Sequence, residues 1–289
     1  MLGFLAAPFV ASLILTGIHA YLGVHVVERG VIFVDLSLAQ IAALGATIAI
    51  LLPFTNGDPH APVVYWISLL FTFIGALIFS TFRMKHSRIP QEAIIGICYA
   101  VASAAAILAM SKATSESEHL KDMLVGNILA VSWPEVGKTA ALYSGIGIFH
   151  YIFRGRFLAI SIDHDKAEAQ GIPIRFWDFL FYASFGFVVT SSVAIAGVLL
   201  VFCYLIVPSV AAMMYSHKIG PRLAIGWTMG TVVSALGVWL SLVLDLPTGA
   251  TIVCTFGIVL ALMAALRPLL VRRATRSSLH HQQTTYSPS

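Results

Sequence analysis

Residues 176–215 read FWDFLFYASFGFVVTSSVAIAGVLLVFCYLIVPSVAAMMY, a run of forty in which Asp178 is the only charged side chain. A helix crosses a bilayer in about 20 apolar residues. The run is therefore too long for one span and too short for two spans with a generous loop. It predicts two helices joined by a tight turn near Ser191-Ser192. Further runs of spanning length lie to either side, at 2–24, 31–52, 63–82, 93–110, 136–153, 223–244 and 248–266, with the central run divided into 177–194 and 195–215. The prediction is an all-α fold, a polytopic membrane helical bundle of about nine transmembrane helices. Composition agrees. The hydrophobic share is 58%, the charged share 10% and the mean hydropathy +0.90. No soluble domain of 289 residues could bury that much apolar surface, so the few polar groups inside the spans mark the place to look for function.

Lysine and arginine set the orientation. One set of loops holds Arg29; Arg83, Lys85 and Arg88; Arg154, Arg156, Lys166 and Arg175; Lys218 and Arg222; and Arg267, Arg272, Arg273 and Arg276, which is 14 of the 17 basic residues. The opposite loops hold Lys112, Lys121 and Lys138. Nine spans with the N-terminus outside and the C-terminus inside satisfy this asymmetry at every loop. The formal charge of +4 then belongs to cytoplasmic loops beside anionic lipid and gives no reason to expect nucleic-acid binding. The outer loops carry Asp58, Glu116, Glu118, Asp122, Glu135 and Asp245 against those three lysines, a mildly acidic mouth. No basic segment precedes the first apolar run, so no cleavable leader is expected. Cys98, Cys203 and Cys254 all fall within spans and read as small core residues.

Between Arg154 and Asp178, the segment Asp163–Gly171 reads as a short amphipathic helix stopped by Gly171, with Pro173 just beyond. A polar helix under a bundle is either a docking surface for a cytoplasmic partner or a solvated connector. The outer stretch Ser111–Trp133 contains an apolar half, Leu124–Ala130, too short to span and expected to tuck against the bundle. The expected domain organisation is one transmembrane domain over 1–276 and a disordered cytoplasmic tail over 277–289, the latter rich in Ser, Thr and Gln and carrying His280-His281. Gly226 and Gly230 have the spacing of a close helix contact, and Pro208 should bend its helix.

Gly137-Lys138-Thr139 has the look of a phosphate-binding loop but lacks its partner glycine, where Ser132 stands, and Pro134 interrupts it. Any ATP hydrolysis must therefore occur on another polypeptide. The polar residues singled out inside the spans are His19 on the first and Asp35, Ser37 and Gln40 on the second. Ser37 and Gln40 share a helical face, while Asp35 lies roughly 140° round from Gln40. His19 and Asp35 are either a structural pair across two helices or ligands, since imidazole and carboxylate suit zinc, manganese or iron. Glu92 reads as the start of the fourth span.

Several stretches resemble the permease subunits of bacterial ABC importers for zinc, manganese and iron. They are Tyr21-Leu22-Gly23 through Glu28-Arg29, Asp35 and Ala43-Leu44-Gly45; Pro90–Ile97; Leu124–Val131; Ala196–Val201 with Leu205–Ala212; and Asp245–Val253. The resemblance implies a homodimer in the bacterial plasma membrane. It also implies a pair of cytoplasmic ABC ATPase subunits that use the ATP, and an extracytoplasmic metal-binding protein that delivers the ion. No cofactor is expected on this chain; the metal ion is its substrate, and the chain is not itself an enzyme. Asp163–Gly171 becomes the coupling helix, with Asp163, Asp165, Ala167 and Gly171 as its ATPase-coupling residues, and His19, Asp35, Ser37 and Gln40 become candidate metal-path residues.

One departure stands out. The family's second span carries Asp followed four residues later by His on one face. Aligned from Arg29, Asp35 keeps the acid and Ala39 replaces the histidine; aligned from Gly45, Gln40 replaces the histidine and Leu36 the acid. Either His19 supplies the imidazole, or the ion is content with oxygen ligands, or the cargo is a chelate. Two rival classes remain. An ion-coupled secondary transporter would carry more intramembrane ionisable groups than these. An intramembrane enzyme would need convergent catalytic groups such as His-Glu-x-x-His or a Ser/His pair on facing helices, none of which is visible in the sequence.

Overall fold

The computed structural model describes the backbone of residues 2–55, 58, 61–82, 89–111 and 128–285, and the side chains of these except at 2–5, 54 and 269–285. Arg83, Lys85, Arg88, Lys112, Glu116, Glu118, Lys121, Asp122, the Leu124–Asn127 half of the outer motif and the His280-His281 side chains lie outside what is described. Among the described residues there are α-helices and short 3-10 turns and no strands. The helices are α1 (Leu2–Arg29), α2 (Val34–Ile50), α3 (Pro62–Thr81), α4 (Gln91–Met110), α5 (Trp133–Ile152), α6 (Arg154–Ile162), α7 (His164–Ala169), α8 (Ile174–Ala196), α9 (Val198–Tyr215), α10 (Ile219–Leu244) and α11 (Thr248–Thr285).

Seven of these, α1, α3, α4 and α8 through α11, are long and apolar enough to cross a membrane. Two of the nine expected spans fall outside that set. α2 has only 17 residues, and α5 carries Glu135, Lys138, His150 and three glycines in its 20 residues.

The decisive run does fold as two helices, but the break comes elsewhere. A single residue, Gly197, separates α8 from α9, with φ +75° and ψ 160°, a backbone conformation that is essentially glycine's alone. Ser191 and Ser192 stay helical because each hydroxyl donates back to the preceding turn, to Phe187 O at 2.8 Å and Val188 O at 2.7 Å. The expected turn there is corrected to Gly197.

Local signals set the other ends. Pro62 opens α3 and Pro90 precedes α4, where a missing N–H costs nothing. At the start of α5, the Ser132 backbone N–H and hydroxyl both donate to Glu135 Oε2, at 2.8 and 2.7 Å. Gly137-Lys138-Thr139 lies within the first turns of this helix and forms no loop. The expected inner helix is present as α7. Asp163 Oδ1 caps it by accepting from Lys166 N at 3.0 Å, and Gly171, at φ +76°, turns the chain away. The rest of that connector is not loop: α6 precedes it directly.

Two groups of helices share the core. α1 packs along α9 and α10, with α11 behind them; α2 lies between α3 and α4, and α3 runs along α8. The α1–α9 crossing is closest at Gly23, where a side chain would collide with the Leu205 carbonyl and the Ser209 hydroxyl. The expected packing role of Gly226 and Gly230 holds: the first faces Ala20 and Pro208, the second Thr16. At the C-terminal end of α1, neighbouring residues grip two different helices. Arg29 pairs with Asp178 of α8 at 2.7 Å, both side chains fully buried, and Glu28 pairs with Arg222 of α10. On the outside, α3 presents Trp66, Leu70, Ile74 and Leu77 at helical spacing, all exposed.

Candidate functional site

The four residues singled out on the first two spans do not converge. His19 is fully buried. Its Nδ1 lies 2.8 Å from Leu15 O and its Nε2 3.3 Å from Ser192 Oγ. A carbonyl only accepts, so Nδ1 carries the proton and the Nε2 lone pair faces Ser192. This neutral tautomer, anchored through its other nitrogen, is the form in which histidine binds metal ions. Asp35 is also buried, at 1% exposure, and its Oδ1 has no hydrogen-bond partner among the described residues. No hydrogen bond joins it to His19, so the structural pair is not made. Ser37 is buried with an unpartnered hydroxyl, while Gln40 is half-buried. Glu92 starts α4 as expected and also accepts from Phe33 N at 2.9 Å, tying α4 to the turn that opens α2.

Around His19 the structure gathers residues that periodicity did not mark. The Tyr143 ring of α5 stands edge-on to His19 at 6.2 Å. Its hydroxyl donates to Val188 O at 3.2 Å and lies 3.1 Å from Ser191 Oγ. Ser191 also borders a cleft of about 400 Å³ lined by Pro62, Tyr65, Trp66, Lys138 and Thr139. The cleft thus reaches from the N-terminal ends of α3 and α5 to a residue adjoining Ser192, the partner of His19. The signal for this was present in the sequence: Thr190-Ser191-Ser192 is the one cluster of adjacent hydroxyl residues in the central run.

A second buried polar group lies nearer the C-terminal end of α1, where Tyr21, His25 and Arg29 meet His150 of α5, Ser161 of α6 and Asp178 and Ser184 of α8. His150 lies inside an expected span and is as legible as His19. His25 falls one residue beyond the end assigned to the first run.

On the inner segment, Ala167 is 1% exposed and packs into the core, whereas Asp163, Asp165, Lys166, Glu168 and Gly171 face outward. Ala167 therefore seats α7 on the bundle and leaves the charged side as its free surface. His164, Asp165 and Glu168 form the one group of three among the described residues whose ligand atoms lie within 4.8 Å of one another.

Residues 1–267 match the model of the ABC 3 transport family. The chain belongs to that family. Among its relatives is the manganese transport system membrane protein MntC of Listeria innocua, 29% identical over 68% of this chain and 71% of that one. Another is the chelated iron transport system membrane protein YfeD of Yersinia pestis, 24% identical over 68% and 67% of the two chains. Among solved structures, PsaBC from Streptococcus pneumoniae in complex with Fab superposes with a TM-score of 0.74 over 90% of both chains at 23% identity, a likeness of fold. The expected resemblance to metal-importer permeases holds, and this family member, with its seven apolar helices, is a multi-pass membrane protein.

Proposed function

We propose that this ABC 3 family protein is the membrane-spanning permease subunit of an ATP-driven importer for a divalent transition metal ion in a bacterial inner membrane. The observation that carries the reading is the buried, unpartnered carboxylate oxygen of Asp35 beside the second helix's N-terminus, within a chain of this family. An ionisable group in hydrocarbon is costly and points to an ion path. His19 supports it as a neutral imidazole anchored by Leu15 and opening toward Ser192. The route runs from the cleft at Lys138 and Tyr65, past Ser191, to His19, Asp35, Ser37 and Gln40. Weak, sequential ligands suit a protein that must release its cargo.

In this reading α2 and α5 also span, giving nine crossings with the N-terminus outside and the C-terminus inside. The permease domain covers 1–276 and the tail 277–289. α5 supports the homodimer. It exposes Gly137, Ala141, Ser144, Gly145 and Ile148, a Cβ added at Gly137 or Gly145 would meet nothing within 4 Å, and a face of such small residues suits close approach of another helix. α7 is the coupling helix, offering Asp163, Asp165 and Glu168 to a separate ATPase, while Ala167 and Gly171 set its seat and its end. An extracytoplasmic binding protein would dock at the acidic outer loops, and ATP-driven closure would rock the helices to open the path inward.

The test is uptake into liposomes holding the chain with its ATPase and binding protein, with zinc, manganese and iron in parallel. ATP-dependent accumulation of one ion is expected. A well-assembled complex that moves none of the three, yet moves an iron chelate, would replace the free ion with a chelate as cargo.

A further inference from the structure

We infer that His25 and His150, with the Tyr21 hydroxyl, form a second metal site, deeper along α1 than His19 and suited to zinc or ferrous iron rather than manganese. The inference follows from where the protons must lie. Ser161 Oγ donates to Phe157 O at 2.8 Å, and a hydroxyl has only one proton to give. Toward Arg29 Nε at 2.8 Å and His25 Nδ1 at 2.9 Å it can only accept. His25 Nδ1 therefore carries the hydrogen, and its lone pair sits at Nε2, which is buried and has no hydrogen-bond partner among the described residues. Ser184 repeats the arrangement. Its hydroxyl donates to Phe181 O at 2.9 Å, so at 2.8 Å it accepts from His150 Nε2. That leaves the His150 lone pair at Nδ1, 3.4 Å from the Tyr21 hydroxyl.

Both imidazoles are thus held neutral, with the spare N–H fixed by a serine whose own proton is already committed. Metal-ligating histidines are oriented in this way. The two ring centres are 6.5 Å apart, and Tyr21 lies 4.8 Å from the first and 5.5 Å from the second. Two imidazoles on one tetrahedral zinc, with zinc–nitrogen bonds of about 2.1 Å, have ring centres about 5 Å apart, so these rings would close by about 1–2 Å and turn His25 Nε2 and His150 Nδ1 toward one ion. Arg29, the nearest fixed cation, is already balanced by Asp178 at 2.7 Å. Imidazole favours zinc and iron, whereas manganese prefers oxygen. The importer reading enters only in making this ion the cargo in transit.

The probe is zinc alone, added to the nucleotide-free permease–ATPase complex carrying His19→Asn, so that the first histidine does not contribute. X-ray absorption should show zinc bound by paired imidazoles without sulfur. His25→Gln or His150→Gln should weaken zinc by at least about tenfold, Ser161→Ala by about 10–100-fold, and manganese should bind at least about tenfold more weakly than zinc. A zinc spectrum lacking paired imidazoles overturns the site even if a variant fails to fold, and so does unchanged zinc affinity in His25→Gln. Uptake separates the two readings. ATP-driven transport without zinc at His25 removes this site and leaves the importer standing; zinc at His25 with no transport of any ion supports the site and removes the importer.

Discussion

Asp178 shows how much one side chain holds. Its carboxylate is fully buried against Arg29, whose guanidinium lies 3.9 Å above the Phe181 ring. Asp178→Asn leaves a buried cation without its counter-charge and should cost about 3–5 kcal/mol, read as a lowered thermal unfolding midpoint in detergent. Gly197→Ala should cost about 1–3 kcal/mol, because alanine must adopt the +75° φ that joins α8 to α9. His19→Asn is a different case: it should lower metal uptake far more than thermal stability, since the His19 ring is anchored by one hydrogen bond, from Nδ1 to Leu15 O. Equal losses would return His19 to a purely structural role.

At the scale of the helix, the inner segment gives the sharpest contrast. Ala167 faces the core and Glu168 faces away. Ala167→Glu should unseat α7 and abolish transport together with stimulation of the ATPase, while Glu168→Ala should keep the fold and change only the coupling, measured as ATP hydrolysed per ion moved. The helix itself was legible because Asp163, Gly171 and Pro173 are strong local punctuation. The α8–α9 break was misplaced because serine is read as a turn former, although in a helix its hydroxyl can satisfy the turn before it. Asp35 and His19 stood out as polar residues in apolar runs. The His25–His150 cluster did not, because it assembles from α1, α5, α6 and α8, and helical periodicity describes one helix at a time.

Across the whole molecule, the basic residues predict which loops share a side, and α5 makes the test sharp because it is the least apolar of the long helices expected to span. In a cysteine-free background, cysteine at Lys138 should react with an impermeant thiol reagent only from outside, and cysteine at Arg156 only from inside. Labelling of both from one side would remove α5 as a span and with it the proposed count of nine crossings. The proposed dimer is tested on the same helix: cysteine at Gly145 should form a crosslink between copies, and one at Ile74, on the exposed apolar stripe of α3, should not.

Glu28 and Arg29 are adjacent in the chain yet reach different helices, α10 and α8. Inheritance must respect this. A lineage that loses Asp178 strands a charge in the core unless Arg29 changes as well, and the same bond ties Glu28 to Arg222. The two pairs should therefore drift as units among descendants of this protein, each surviving whole or vanishing whole, while the apolar residues between them exchange freely.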